Sequence, residues 1–162
     1  MTCSVILALG SNLGDKRQNI AIALDKIEER IGRITSLSAL YDTLPEGFYT
    51  EQNFVNCVCE VDSNLNILTL FLITQEIEKE IGRTKKSVNS QYADRIIDID
   101  LILVGDLIIQ TPDLIIPHPL FHTRDFVLKP LCEIAPDRVH PVIGKTIRQL
   151  KEELDQKKNH IE

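Results

Sequence analysis

Apolar and polar residues follow two different periods along this chain. Residues 3–9 are almost continuously apolar, which predicts a buried first strand. Residues 54–62 alternate, so Val55, Cys57, Cys59 and Val61 are predicted to face one way, and Phe54, Asn56, Val58 and Glu60 the other. Apolar residues recur at helical spacing over residues 20–31 and about 65–81, which predicts two helices ended by Gly32 and Gly82. A last helix is predicted over roughly residues 145–156.

The segments between these elements complete the prediction. Residues 34–42 are typical of a strand, and G-S-N-L-G-D at 10–15 of a turn, with Asp15 or Asn12 as the helix N-cap. The proline-punctuated stretch 115–126 is predicted to be an ordered loop. The resulting order β-α-β-β-α-β indicates an α+β sandwich with a mainly antiparallel sheet and helices packed on its faces. With 162 residues and no linker, we expect a single domain over residues 1–162.

The segment 94–103, D-R-I-I-D-I-D-L-I-L, predicts an apolar strand that carries two aspartates. Side chains alternate along a strand, so Asp98 and Asp100 share one face, roughly 7 Å apart, and Ile97, Ile99, Leu101 and Leu103 share the other. A half-exposed strand with a solvated acidic face explains this pattern equally well. The apolar run 101–104 favours a strand that enters the core, with both aspartates at its mouth.

Composition limits the classes of partner. The net charge of −6 and the lack of tryptophan argue against a nucleic-acid-binding protein. No apolar run approaches the ~20 residues of a membrane-spanning helix, and the first residues lack a basic signal-peptide region, so a cytoplasmic location is expected. The four cysteines form no C-x-x-C pair and are interpreted as small buried hydrophobic residues. We expect a monomer, because the sequence shows no large apolar patch.

Positive charges gather around the aspartate strand although the chain as a whole is acidic. They are Arg83, Lys85, Lys86 and Arg95 before it, and His118, His122, Arg124 and Lys129 after it. Paired carboxylates beside arginines are typical of a phosphate site in which Mg²⁺ bridges the anions. A solvated basic loop is the simpler explanation for residues 83–86 taken alone. No Walker A, G-x-S-x-G, H-E-x-x-H or EF-hand pattern occurs.

The alternating strand 54–62 offers a second candidate feature. Phe54 and Asn56 share a face, where an aromatic ring can stack on a flat heterocycle and an amide can bond its edge. An aromatic residue beside a polar residue on an exposed sheet face is the alternative interpretation, and this pair alone does not decide between them.

These segments together resemble the 6-hydroxymethyl-7,8-dihydropterin pyrophosphokinases of folate biosynthesis. The resemblance rests on R-I-I-D-I-D-L-I-L at 95–103, P-H at 117–118 and R-D-F at 124–126. It extends to A-L-G-S-N-L-G-D at 8–15, F-V-N at 54–56, Q-E-I-E-K-E-I-G-R at 75–83 and P-L-C-E-I-A-P at 130–136. It therefore covers nearly the whole chain and implies a ferredoxin-like α+β fold.

The resemblance implies a reaction and a set of site residues. The β,γ-pyrophosphoryl group of ATP would pass to the hydroxymethyl oxygen of the reduced pterin, with release of AMP. Two Mg²⁺ ions, bound with ATP, would be held by Asp98 and Asp100. Without metal, the negative charges of these two aspartates are expected to repel each other. The resemblance assigns catalysis to Arg83, Arg95, Asp98 and Asp100. It assigns ATP binding to Gln75, Glu78, Arg83, Lys85, Tyr92, Arg95, His118 and Arg124. It assigns pterin binding to Thr43, Leu44, Pro45, Phe54, Asn56, Asp98 and Phe126.

Some positions depart from the family pattern. Tyr92, Asp94 and Pro119 stand where the family often has tryptophan, proline and tyrosine. We expect these changes to affect loop closure and ATP affinity rather than the reaction. Two other hypotheses for the function stay open: a different Mg²⁺-dependent phosphoryl or nucleotidyl transferase, and a non-catalytic small-molecule-binding domain.

Overall fold

A computed structural model describes residues 2–43, 53–82 and 96–160. The strands are β1 (Cys3–Ser11), β2 (Arg33–Leu37), β3 (Tyr41–Thr43), β4 (Phe54–Ser63), β5 (Asp98–Val104), β6 (Ile109–Gln110) and β7 (Ile115–Ile116). The helices are α1 (Lys16–Arg30), α2 (Ile67–Gly82), α3 (Asp125–Ile134) and α4 (Ile147–His160), with a short 3-10 helix at Phe121–Thr123. No helix in these ranges is both long and apolar enough to cross a bilayer.

The strands form a five-stranded antiparallel sheet of order β2-β4-β1-β5, in which β3 also pairs with β4. The two helical crossovers place β1 and β4 at the centre and β5 at an edge. This is the ferredoxin-like order, which confirms the predicted α+β fold class. The small hairpin β6-β7 lies beside β5.

Helices cover both faces of the sheet, because each central strand is apolar on both sides. Val5, Leu7 and Leu9 of β1 pack with α1 and α2, while Ile6 and Ala8 pack with α3 and α4. Alternation in β4 is as predicted, since its odd-numbered residues 55–61 face the α1/α2 core and Val58 faces the other. The candidate site lies on the α3/α4 face, towards the Ser11 end of β1.

The predicted single strand over residues 34–42 is wrong, because it is two strands with a break at Ser38. The Ser38 hydroxyl oxygen accepts a hydrogen bond from the Val58 N–H at 2.9 Å, and the Ser38 N–H donates to the Val58 carbonyl at 2.9 Å. The Ser38 side chain thus takes the place of a backbone carbonyl as the acceptor for this N–H of β4, and the pairing is interrupted before β3 begins.

The predicted turn at 10–15 begins too early, since Gly10 and Ser11 belong to β1. Asp15 is the N-cap of α1, where its carboxylate accepts the Gln18 N–H at 3.2 Å. Asn12, the other candidate cap, is fully buried instead.

Helix α3 was not predicted from the sequence. It begins at Asp125, inside the end of the predicted 115–126 loop, and continues to Ile134. Pro130 lies inside this helix and obscures its pattern, although Val127, Leu128 and Leu131 form a buried helical stripe. Proline in the middle of a helix is normally unfavourable, so the sequence argued against this element.

The pairing of β1 with β5 contains a β-bulge. Ile6 pairs with Leu103 and Leu7 with Leu101, which leaves Ile102 as the extra residue. Leu103 consequently faces the α3/α4 core, so its predicted placement on the same face as Leu101 is wrong.

Candidate active site

Three adjacent strands place Asn56, Gly10 and Asp98 in one row across the sheet. Gly10 of β1 is the register partner of Asn56 on β4 and of Asp98 on β5. Residues paired in this way point to the same side, here the α3/α4 face. Because neighbouring strands lie about 4.8 Å apart, the row from Asn56 to Asp98 spans roughly 10 Å.

The Asn56 end of the row is neutral. The Asn56 side chain is 6% exposed, and its Nδ2 group donates a hydrogen bond to Thr43 Oγ1. Phe54 lies on the same face two residues away, and Phe126 lies in the first turn of α3, which packs over β4 and β3. The Arg124 guanidinium lies 5.7 Å from the centre of the Phe126 ring. This end therefore combines an oriented amide with two aromatic rings.

The Asp98 end of the row is acidic. Asp98 and Asp100 share the α3/α4 face of β5, as predicted, since their register partners are Gly10 and Ala8. Glu78 reaches the same strand edge from α2, and its carboxylate accepts the Ile99 N–H at 2.6 Å. Burial raises the pKa of Glu78 to about 8; the negative charges of Asp98 and Asp100 act in the same direction, against the hydrogen bond from Ile99. The local field thus favours a bound cation.

These carboxylates suit Mg²⁺, which prefers oxygen ligands. Within the described part of the chain, no group of three or more His, Cys, Asp or Glu side chains is arranged to hold a metal ion by itself. Mg²⁺ is commonly bound by one or two carboxylates together with substrate phosphates. Asp98 and Asp100 can supply these one or two carboxylate ligands.

His118 is held beside the aspartates by the β-bulge. The carbonyl of the bulged residue Ile102 accepts the His118 N–H at 3.0 Å. His118 Nδ1 accepts the Leu120 N–H at 3.3 Å, so the neutral ring carries its proton on Nε2. Burial lowers the pKa of His118, and the charge of Arg124 lowers it further, while Asp98 opposes both. At neutral pH the ring is an uncharged hydrogen-bond donor.

A cavity of about 350 Å³ opens along the edge of β5. Its polar lining comes from residues that the sequence analysis assigned to the nucleotide and metal: Gln75, Glu78, Asp98, Asp100 and His118. Its apolar walls come from α2 and from the β6-β7 hairpin, including Phe71, Leu114 and Ile115. Pro119, one of the departures from the family pattern, also lines it. No sequence signal predicted the contribution of the hairpin.

The predicted residues fall into three sets. The structure gathers Gln75, Glu78, Asp98, Asp100 and His118 at the acidic end, and Thr43, Phe54, Asn56, Arg124 and Phe126 on or near the neutral end. Leu44, Pro45, Arg83, Lys85, Tyr92 and Arg95 lie outside the described residues.

Two members of the predicted cation cluster make other contacts. The Lys129 ammonium lies 5.3 Å from the centre of the Tyr41 ring, and His122 packs edge-on against His140, 6.0 Å away. Two features of the site were not predicted from the sequence: the position of Gly10, which was expected to lie in a turn, and the contact of Glu78 with the aspartates.

A family model described as 7,8-dihydro-6-hydroxymethylpterin-pyrophosphokinase matches residues 6–136. The chain belongs to this family. Membership confirms the resemblance and the prediction of an ATP-dependent pyrophosphoryl transferase, and it does not favour either alternative function.

Similar pyrophosphokinases match along most of the chain. The 2-amino-4-hydroxy-6-hydroxymethyldihydropteridine pyrophosphokinase of Porphyromonas gingivalis is 44% identical over 138 residues, which are 85% of this chain and 93% of that enzyme. The enzyme of the same name from Aquifex aeolicus is 37% identical over 150 residues, 93% of this chain and 91% of its own length.

Other similar proteins are much longer than this chain. A folic acid synthesis protein of Dictyostelium discoideum is 42% identical over 147 residues, but the chain spans only 22% of its length. A crystal structure of a Plasmodium falciparum protein described as HPPK-DHPS, with pteroate, superposes with a TM-score of 0.77 at 19% identity and covers 94% of this chain and 42% of that one. This likeness supports the fold.

Proposed function

We propose that the protein transfers the β,γ-pyrophosphoryl group of ATP to the hydroxymethyl oxygen of 6-hydroxymethyl-7,8-dihydropterin, giving AMP and the pterin diphosphate for folate biosynthesis. The observation that carries this proposal is the row Asn56–Gly10–Asp98, with a ring-and-amide site at one end and carboxylates at the other. A two-ring heterocycle with a one-carbon arm can bridge these ends. Its hydroxyl group then lies beside the acidic end.

The neutral end would bind and orient the pterin. Phe54 and Phe126 offer flat apolar surfaces for the two faces of the ring. The Thr43 hydroxyl holds the Asn56 amide in one orientation, which leaves Oδ1 as a directed acceptor for the pterin edge. Orientation of this kind lowers the entropic part of the barrier for a transfer between two bound substrates.

The acidic end would bind the triphosphate with Mg²⁺. Asp98 and Asp100 would hold two Mg²⁺ ions together with ATP. When bound, Mg²⁺ neutralises part of the negative charge of the phosphates. His118 would donate its Nε2 proton in a hydrogen bond to a phosphate oxygen, and Gln75 would contact the nucleotide from α2. Arg83 and Arg95 would stabilise charge that develops on the departing AMP. No protein general base is assigned.

Several finer points belong to the same proposal. We infer a single catalytic domain, because in the described residues one five-stranded sheet carries helices on both faces and the β6-β7 hairpin lies beside its edge strand. We propose a monomer in the cytoplasm, and the net charge of −6 agrees with a protein that has no nucleic-acid partner. Analytical ultracentrifugation of the purified chain tests the monomer.

The decisive experiment measures AMP formation from ATP and 6-hydroxymethyl-7,8-dihydropterin, with and without Mg²⁺. We expect AMP release that requires both the pterin and the metal. Release of ADP instead would indicate a simple kinase. A folded sample that forms no AMP under any of these conditions contradicts the proposal.

A further inference from the structure

We propose that Gly10 is a positioning residue for the pterin: the absence of a Cβ at this position seats the Asn56 amide. The row Asn56–Gly10–Asp98 makes Gly10 the floor between the two ends of the site. This inference rests on the proposed function, because it assigns Asn56 to the pterin.

The close contact at Gly10 is made by a side chain of the site. A Cβ built on Gly10 would lie 2.7 Å from Asn56 Oδ1 and 3.5 Å from Phe54 Cδ1. The first distance is too short for non-bonded atoms, and the second is an ordinary contact. Any side chain at position 10 therefore conflicts with the atom of Asn56 that is directed towards the pterin.

The backbone does not require glycine at this position. The described glycines with positive φ are Gly14, Gly105 and Gly144, whereas Gly10 lies within β1 and pairs with strands on both sides. Alanine is compatible with extended backbone. The requirement at Gly10 is thus for space beside Asn56.

Asn56 has little freedom to give way. Its side chain is 6% exposed, and its Nδ2 group is held by Thr43 Oγ1. Rotation of the amide away from a Cβ would lengthen this hydrogen bond or turn Oδ1 away from the pterin. Either change should lower pterin affinity about tenfold, the effect of losing one buried hydrogen bond.

Gly32 supplies a contrasting glycine elsewhere in the molecule. A Cβ on Gly32 would lie 2.0 Å from the backbone carbonyl oxygen of Asp62, after the end of α1 and away from the row. Its replacement disturbs the fold itself. Gly32→Ala is therefore a matched control that loses stability without touching the pterin site.

The test titrates wild type, Gly10→Ala and Gly32→Ala with 6-hydroxymethyl-7,8-dihydropterin, in saturating Mg²⁺ and a non-hydrolysable ATP analogue. ATP-analogue affinity and thermal stability are measured on the same samples. We expect Gly10→Ala to lose about tenfold in pterin affinity and to keep its ATP-analogue affinity. Gly32→Ala should lower the melting temperature and leave the pterin affinity of the folded protein unchanged.

A double-mutant cycle with Asn56→Ala shows whether Gly10 acts through Asn56. Removal of the amide removes the conflicting atom, so Gly10→Ala should have little further effect on pterin affinity in that background. An equal penalty in both backgrounds overturns the inference. If Gly10→Ala alone fails to fold, the double variant should recover folding. A double variant that also fails to fold would mean that the added Cβ conflicts with the sheet and not with Asn56, and this outcome also overturns the inference.

Wild-type binding separates this inference from the proposed function. A wild type that binds no pterin refutes the proposed function and this inference with it. A wild type that binds pterin, beside a Gly10→Ala variant that binds equally well, refutes the inference alone.

Discussion

The two ends of the site differ in the charge of the polar groups that they present. At the neutral end, the Asn56 amide donates to Thr43 and lies against Gly10. At the acidic end, Glu78 is crowded against Asp98 and Asp100, and its pKa is raised to about 8, first by burial and then by their charges. In the proposed function, the first end would bind the uncharged pterin ring, and the second would bind a cation together with the nucleotide.

The position of each end in the sheet accounts for this difference. Asn56 lies on β4, which has a strand on either side, so its backbone is held from both directions. Asp98 and Asp100 lie on the edge strand β5, whose outward N–H groups need partners from elsewhere. Glu78 meets this need at Ile99, and that hydrogen bond brings a third carboxylate to the aspartates.

The largest effect is expected from Asp100→Asn, which keeps the shape of the side chain and removes its charge. Turnover should fall by roughly 10²–10³-fold, the usual cost of losing one electrostatic contact to a transition state. Pterin affinity should change far less, because the neutral end is untouched. Initial rates of AMP release and pterin titration measure the two quantities. Asp106→Asn, an exposed change in the turn after β5, is the control.

Equal losses of turnover and pterin affinity in Asp100→Asn would remove the distinction between the ends. They would mean that Asp100 supports the whole site structurally and does not act on metal and phosphate.

Asn56→Ala tests the opposite end and should have the next largest effect. Loss of the directed acceptor and of its bond with Thr43 should weaken pterin binding roughly 10–100-fold, the equivalent of a buried hydrogen bond. Affinity for the ATP analogue should be unchanged, since Asn56 is not among the residues that line the cavity proposed to bind the nucleotide. Calorimetric titration with each ligand measures both. A comparable loss of nucleotide affinity contradicts the assignment of Asn56 to the pterin.

The parts of this site that depend on local alternation were predictable from the sequence. Period-two spacing correctly placed Asp98 with Asp100 and Phe54 with Asn56. Leu103 was misplaced because one extra residue, Ile102, shifts the register of β5 against β1. That bulge also positions His118, so an error of one residue concealed a feature of the site.

Features that depend on contacts between distant segments could not be predicted. Helix α3, which carries Phe126, was also not predicted, because Pro130 lies inside it and proline is unfavourable there. The role of Gly10 depends on β1 lying between β4 and β5, which no local pattern encodes. The contact of Glu78 with the aspartates likewise depends on where α2 packs against the sheet edge.

Glu78→Gln tests whether the acidic end acts as a unit. Glu78 contacts Asp98 without being assigned as a metal ligand, and losses from such outer contacts are about 10-fold to 100-fold in metal affinity. We expect the Mg²⁺ concentration that gives half-maximal turnover to rise about 10-fold, with little change at saturating Mg²⁺. Glu152→Gln on the exposed face of α4 is the control. An unchanged Mg²⁺ dependence would show that the carboxylates act separately.

The smallest effect is expected where α3, which carries Phe126, is tied to α4. The Asp125 carboxylate lies 3.1 Å from Lys158 Nζ and 3.3 Å from Lys151 Nζ. Burial raises the pKa of Asp125, but these two ammonium groups outweigh it and leave the pKa below its ordinary value. A lowered pKa means that the ionised group stabilises the folded state above the unfolded pKa, about 3.9.

Asp125→Asn should therefore lower the free energy of unfolding by only ~0.5 kcal/mol at pH 6, because the ion pairs are partly exposed and screened. The difference from wild type should shrink as the pH falls below about 4, where the carboxylate becomes protonated. Urea unfolding at both pH values measures it, with Asp106→Asn as the exposed control. A difference that persists at low pH would mean that Asp125 acts through its shape and not its charge. Packing, and not charge, would then hold the helix that carries Phe126 against α4.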